Sequence, residues 1–144
     1  MTRVDFYVLE AGGEARERFA CRLAEKVYRL GHKVLVHPRG PDHARRLDDL
    51  LWTWRDGSFV PHLVWADGLD PADVRATPVI IGDGVDPPVE ADVLINLGDD
   101  VPSAFSRFDR VAEIVDGDPE TRARSRTRFA FYRDRGYPLE THRI

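Results

Sequence analysis

The chain is poor in the residues that cross-link, hold metals or cross bilayers. Its 144 residues contain one cysteine, Cys21, which excludes an internal disulfide and a thiolate-rich metal centre. Cys21 falls within a helical pattern and reads as a small buried apolar side chain, not a nucleophile. No apolar run approaches the roughly 20 residues that a membrane helix needs. The N-terminus lacks the basic-then-apolar order of a secretory leader, so a cytoplasmic protein is expected. The histidines His32, His37, His43, His62 and His142 are scattered. No His-Glu-x-x-His spacing occurs, and no metal site is expected. Gly-x-Ser-x-Gly and activated Cys–His signatures are also absent.

A phosphate-binding loop is missing as well. The first strand–turn–helix reads LEAGGEAR over residues 9–16. A dinucleotide fingerprint needs glycines at fixed spacing, so that backbone can approach a pyrophosphate. A P-loop needs a Gly-Lys-Ser/Thr ending. Gly12 and Gly13 meet neither requirement, and Glu10 and Glu14 would repel phosphate. No cofactor is expected.

What is present fits one α/β domain over residues 1–144, with a mostly parallel central sheet flanked by helices. Hydrophobic residues make up 42% and charged residues 32%, which is ordinary for a globular protein. Residues 3–9 read as a strand. Ala15, Phe19, Leu23 and Val27 then recur at four-residue spacing and predict a helix over 14–30, ended by Gly31. Residues 33–37 read as a second strand. A helix opened by Pro41-Asp42 turns Ala44, Leu47, Leu50 and Leu51 inward. Residues 59–65 suit a short strand, and 66–76 a polar connection. The runs 78–81 and 92–97 read as buried parallel strands, joined by a loop rich in turn formers. Residues 103–108 make a short helix at most, and 110–115 a last strand. Asp118-Pro119 caps a final helix that Gly136 stops. Residues 137–144 read as a tail. The acidic pairs Asp48-Asp49, Asp99-Asp100 and Asp116-Asp118 are explained by caps and solvated loops.

Two patches exceed what folding alone requires. Trp52, Trp54 and Phe59 fall within eight positions, where a helix gives way to a Gly-containing turn. Helix ends and turns lie at surfaces, and large rings are enriched at binding hot spots. Any one ring there is explained by packing onto the core; all three together make a partner surface a serious rival to that reading. The second patch is the last helix. Residues 118–144 carry seven arginines against four acids, so +3 sits there and −7 on the rest of a chain of net charge −4. Arg122, Arg126 and Arg133 share one helical face with Phe129. Guanidinium groups bind carboxylates bidentately, and a ring beside them suits a peptide with acids and an apolar end. A solvated basic face over a core phenylalanine explains the pattern equally well.

The residues DFYVL in the first strand, RLDDLLWTWRDGSFVPH at 46–62, VLINL, and the closing FYRDRGYPLETHRI resemble the chi-subunit family of the bacterial DNA polymerase III holoenzyme. The likeness spans nearly the whole chain, apart from residues 66–90. It implies a Rossmann-like fold without a nucleotide site and without catalysis of its own. It implies a replisome adaptor that joins the clamp loader through the psi subunit. The same adaptor would bind the acidic C-terminal tail of single-stranded DNA-binding protein (SSB), tethering the replicase to SSB-coated DNA. By that likeness, Trp52 and Phe59 fall on the psi surface. Val115, Arg122, Arg126, Phe129 and Thr141 fall on the SSB-tail site. An accessory helicase is a further partner at the psi surface, in competition with psi. Ala130 departs from the family pattern where some members carry a base, and Trp54 and Arg143 have no role that the likeness assigns. The alternative from another class is a small α/β enzyme or nucleotide-binding protein. Direct DNA binding through the arginine helix is disfavoured by the overall acidity.

Overall fold

The computed structural model describes residues 1–83 and 87–144. The turn-rich loop expected between 82 and 90 falls partly outside the described residues. The element order is β1 (Arg3–Val8), α1 (Ala15–Arg29), β2 (Val34–His37), α2 (Pro41–Thr53), β3 (His62–Val64), α3 (Pro71–Ala76), β4 (Val79–Ile81), β5 (Val93–Asn96), a 3-10 turn (Phe105–Arg107), β6 (Arg110–Val115), α4 (Pro119–Asp134) and β7 (Leu139–Arg143).

Among the described residues the strands form one seven-stranded sheet in the order β3-β4-β2-β5-β6-β1-β7. Every pairing is parallel, so the sheet is more uniform than the mostly parallel one expected. Parallel sheets need both faces covered. α1 and α2 cover one face, where Ala20, Ala24, Val27, Ala44, Leu47 and Leu51 meet Val34, Ile81, Ile95 and Ile114. α4 and the 3-10 turn cover the other, where Phe105, Phe108 and Tyr132 meet Val4, Phe6, Leu94 and Val111. Burying Leu47 or Ile95 fully contributes about 1.5–3 kcal/mol each.

The small residues of α1 carry its contact with the sheet. Ala20, Cys21 and Ala24 are buried, whereas Ala15, Phe19 and Leu23 are only partly buried beside them. Cys21 is buried as expected, and desolvation pushes its thiol pKa up to about 12.

Two elements correct the sequence reading. Residues 66–76 are not only a polar connection, because α3 lies within them. Asp70 caps it, accepting from the Ala72 N–H at 2.8 Å, and Pro71 opens the first turn. This is the same Asp-Pro device that starts α4 at Asp118. Residues 137–144 are not a tail, and β6 is not the last strand. Gly136, at φ +78, turns the chain after α4. β7 then adds to β1 in parallel, Val4 beside Leu139 and Val8 beside Arg143. The segment LETHR has no hydrophobic alternation to announce a strand. As an edge strand it needs only backbone partners on one side.

α4 docks through polar atoms as well as rings. Glu113 of β6 is fully buried and accepts from Arg128 Nε at 2.9 Å, from the Tyr132 hydroxyl at 2.7 Å and from Asn96 Nδ2 at 2.9 Å. Arg128 also donates to the Asp99 carbonyl at 2.8 Å. A buried charge left without its partner is strongly destabilising. Arg128→Ala should therefore cost about 3–5 kcal/mol, measured by urea denaturation. A loss well under 1 kcal/mol would show that the pair does not hold α4 down.

Candidate functional site

The register across three strands builds the floor of one depression. Residues paired in a row of a sheet point to the same face. Val115, Val8 and Arg143 form one row, and Glu113, Phe6 and Thr141 form the next. α4 lies over that face and supplies the wall. The depression of about 250 Å³ is lined by Phe6, Val8, Val115, Arg122, Ser125, Arg126, Phe129, Thr141 and Arg143. All five residues that the family likeness assigned to the tail site, Val115, Arg122, Arg126, Phe129 and Thr141, therefore come together.

Their roles in the geometry differ. Val115 is buried in the floor. Phe129 is half-buried, its ring 5.2 Å from that of Phe6, so it belongs both to the core margin and to the wall. Arg122 is tethered, with Nε donating to the Asp116 carbonyl at 3.0 Å and Nη2 to the Leu9 carbonyl at 3.3 Å. Arg126 and Arg143 are exposed, and their side chains make no hydrogen bond or ion pair among the described residues. Among the described residues no acid lines this depression, so three guanidinium groups face it without a carboxylate partner. Unpaired cations around an apolar floor suit a ligand with carboxylates and one apolar group.

Arg133 is corrected. It shares the face of Arg126, but seven residues on it lies about 10 Å farther along the helix. There it pairs with Asp134 at 3.2 Å and does not line the depression. The third arginine is Arg143, which reaches the site only because residues 139–143 form a strand.

The opposite face of β7 is anchored at Asp5. The buried Asp5 carboxylate accepts from Arg110 Nη2 at 2.9 Å and from His142 Nε2 at 3.0 Å. His142 also stacks on Tyr7, with centroids 4.9 Å apart. Arg3 pairs with Glu140. Donor atoms of Asp5, Glu140 and His142 lie within 4.8 Å of one another. Arg3 and Arg110 already balance these carboxylates, and the group reads as an ion-pair cluster, not a metal centre.

The aromatic corner divides. Trp52 and Phe59 are 51% and 65% exposed, with ring centroids 5.9 Å apart. His62 lies 4.3 Å from Trp52, with its Nε2 3.2 Å from the Asp48 backbone carbonyl and 3.1 Å from the Asp48 carboxylate. Trp54 does not join them. It packs inward against the α1–α2 core, under the Arg55 guanidinium at 5.3 Å. The turn is held to α1 by the buried Glu25, which accepts from Arg29, Arg55 and Ser58.

A third feature lies where α/β sheets usually bind ligands, at the carboxyl ends of the strands. A crevice of about 590 Å³ there is lined by Glu14, Glu17, Asp99, Asp116, Asp118 and Glu120 against Arg16, Arg39, Arg46 and Arg124. The acids outnumber the arginines and oppose a polyphosphate. Arg16 is buried, with its guanidinium on the carbonyls of Ile114 at 2.9 Å and Leu97 at 3.4 Å. Gly117 is required here, because a Cβ would sit 2.2 Å from the Glu10 carbonyl oxygen.

The Asp5 cluster makes acid stability testable. Burial by itself would raise the Asp5 pKa. The hydrogen bonds from His142 and Arg110 and the nearby arginine charges outweigh burial and hold it below the ordinary 3.8. A lowered carboxylate pKa stabilises the fold above the unfolded-state value, and that stability is lost as pH falls through the folded-state value. Asp5→Asn should lower stability at neutral pH and flatten its decline below about pH 4. Denaturation series at several pH values check this. An unchanged acid slope would contradict it.

The family model described as DNA polymerase III chi subunit, HolC, matches residues 1–140. DNA polymerase III subunit chi of Pseudomonas aeruginosa is 43% identical, covering 100% of this chain and 98% of that protein. The Haemophilus influenzae subunit is 30% identical over 89% of this chain and 87% of its own. The Escherichia coli K12 subunit is 29% identical over 98% of this chain and 97% of its own. The crystal structure of T4 UvsW aligns with a TM-score of 0.66 at 10% identity, covering 99% of this chain and 42% of that one. That likeness concerns the Rossmann-like fold alone. By the family match over its length and by these relatives, the chain belongs to the DNA polymerase III chi subunits, components of the DNA replication machinery.

Proposed function

We propose that the chain is a non-catalytic, cytoplasmic adaptor, working as one domain over residues 1–144. It binds the psi subunit of the clamp loader and the acidic C-terminal tail of SSB, and so tethers the replicase to SSB-coated template. DNA is contacted only through these proteins. The observation that carries the tail assignment is the acid-free depression with Arg122, Arg126 and Arg143 around Phe129 and Val115. A peptide ending in a phenylalanine with a free carboxylate presents the matching groups. Its ring would lie on Val115 and Phe129, its carboxylate would take Arg126, and Thr141 offers a hydroxyl at the rim.

Psi takes the corner of Trp52 and Phe59. Support comes from the exposure of these two rings, which a helix cap alone does not require. An accessory helicase would use the same corner and exclude psi. The two surfaces lie on different elements, as a tether that holds two partners at once requires.

Arg126→Ala should weaken tail-peptide binding by about 2 kcal/mol, roughly 30-fold, and leave psi binding unchanged. Trp52→Ala with Phe59→Ala should do the reverse. Both rings are largely exposed, so the double variant should keep its fold, which circular dichroism checks. Calorimetry with the peptide and with psi reads both variants. Tail affinity unchanged in Arg126→Ala would remove Arg126 from the site. A folded double variant that still binds psi would remove the corner.

A further inference from the structure

A second basic groove lies across the edge strand from the depression. It is about 480 Å³ in volume and runs between α1, the Trp54 turn and the end of β7. Phe19, Trp54 and Ile144 give it an apolar lining. Arg18, Arg22 and Arg55 border it, against Glu10 as the one acid among the described residues. Arg55 is occupied by Glu25, and Arg18 donates to the Trp54 carbonyl at 2.9 Å. Arg22 is exposed over the Phe19 ring, 5.4 Å from its centroid, and has no ion pair among the described residues. The Trp54 Nε1–H is a buried donor without a partner among the described residues.

The groove and the depression are neighbours around one end of the sheet. Successive residues of a strand point to opposite faces. Val8 and Arg143 line the depression, and Leu9 and Ile144, the next residue of each segment, line the groove. The Ile144 N–H donates to the Val8 carbonyl at 3.0 Å, which carries the pairing to the last residue. Arg122 of the depression is held by the carbonyl of Leu9, whose side chain lines the groove. β7 is the sheet edge, so only one strand separates the two basic surfaces.

We infer that an acidic peptide anchored by its end at Arg126 continues around the end of β7, with its upstream acids on Arg22 and Arg18 in this groove. The inference rests on the tail-binding reading above. The depression, at about 250 Å³, leaves little room beyond a terminal ring and its carboxylate. Acids farther upstream need another cationic surface, and this is the adjoining one. The charge of the groove selects an acidic segment, and its rings accept interspersed apolar residues.

The test compares two synthetic peptides by calorimetry. One is short and acidic, ending in phenylalanine with a free carboxylate. The other has the same end and is lengthened upstream by about eight residues rich in aspartate, a reach of roughly 26 Å when extended. The longer peptide should bind about fivefold tighter, the gain expected of one exposed but well-placed charge contact. Arg22→Ala should abolish that gain and leave the short peptide unaffected. The Trp54 indole N–H resonance should shift with the long peptide and stay in place with the short one. Equal affinities for the two peptides, or an Arg22→Ala variant that keeps the gain, would overturn the continuation while the anchor at Arg126 stands. Arg126→Ala that binds both peptides normally would overturn the anchoring reading itself.

Discussion

The structure depends on one buried carboxylate, Glu113, and the groups that satisfy it. A fully buried charge is tolerated only when its oxygens are occupied. Glu113 meets that condition with Arg128, Tyr132 and Asn96. Arg128 and Tyr132 come from α4, Glu113 from β6 and Asn96 from β5. Rotating α4 would break the Arg128 and Tyr132 bonds together. The helix is thereby fixed in rotation, and its outer arginines are aimed. The sheet row that holds Glu113 continues through Phe6 to Thr141. The clamp and the floor of the depression are one piece of geometry.

A second buried carboxylate does the same for the other patch. Glu25 of α1 gathers Arg29, Arg55 and Ser58, and so fastens the turn between α2 and β3. With the turn held, Trp54 packs under it and Trp52 and Phe59 stay outside. Each exposed patch thus sits on a rigid support organised by an internal ion pair. A preformed surface loses less conformational freedom on binding. The two supports lie on opposite faces of the sheet, an arrangement that suits the proposed adaptor role.

The hydrophobic pattern was enough to read the central strands and the two long helices of one face. β2, β4 and β5 are largely apolar runs, β1 and β6 set apolar residues around one buried acid each, and the caps of α1 and α4 are explicit in Gly31 and Asp118-Pro119. β7 was not legible, because an edge strand needs no hydrophobic alternation and LETHR has none. α3 was hidden in a polar stretch too short for a periodic signal, although Asp70-Pro71 was there to be read. The family likeness named Val115, Arg122, Arg126, Phe129 and Thr141, and the fold gathers them. Helical spacing alone put Arg133 in place of Arg143, since the strand that delivers Arg143 was missed. The burial of Arg16, Glu25 and Arg128 could not be foreseen, because charged residues on a helix ordinarily read as solvated.

On the proposed reading the aromatic corner and the arginine depression are independent sites on one rigid support. Calorimetric titration of an SSB-tail peptide into the protein alone, and into its complex with psi, separates independent from coupled sites. Independent sites give the same dissociation constant in both titrations and a ternary complex of one copy each. Displacement of psi by the peptide, or loss of peptide binding in the complex, would contradict it.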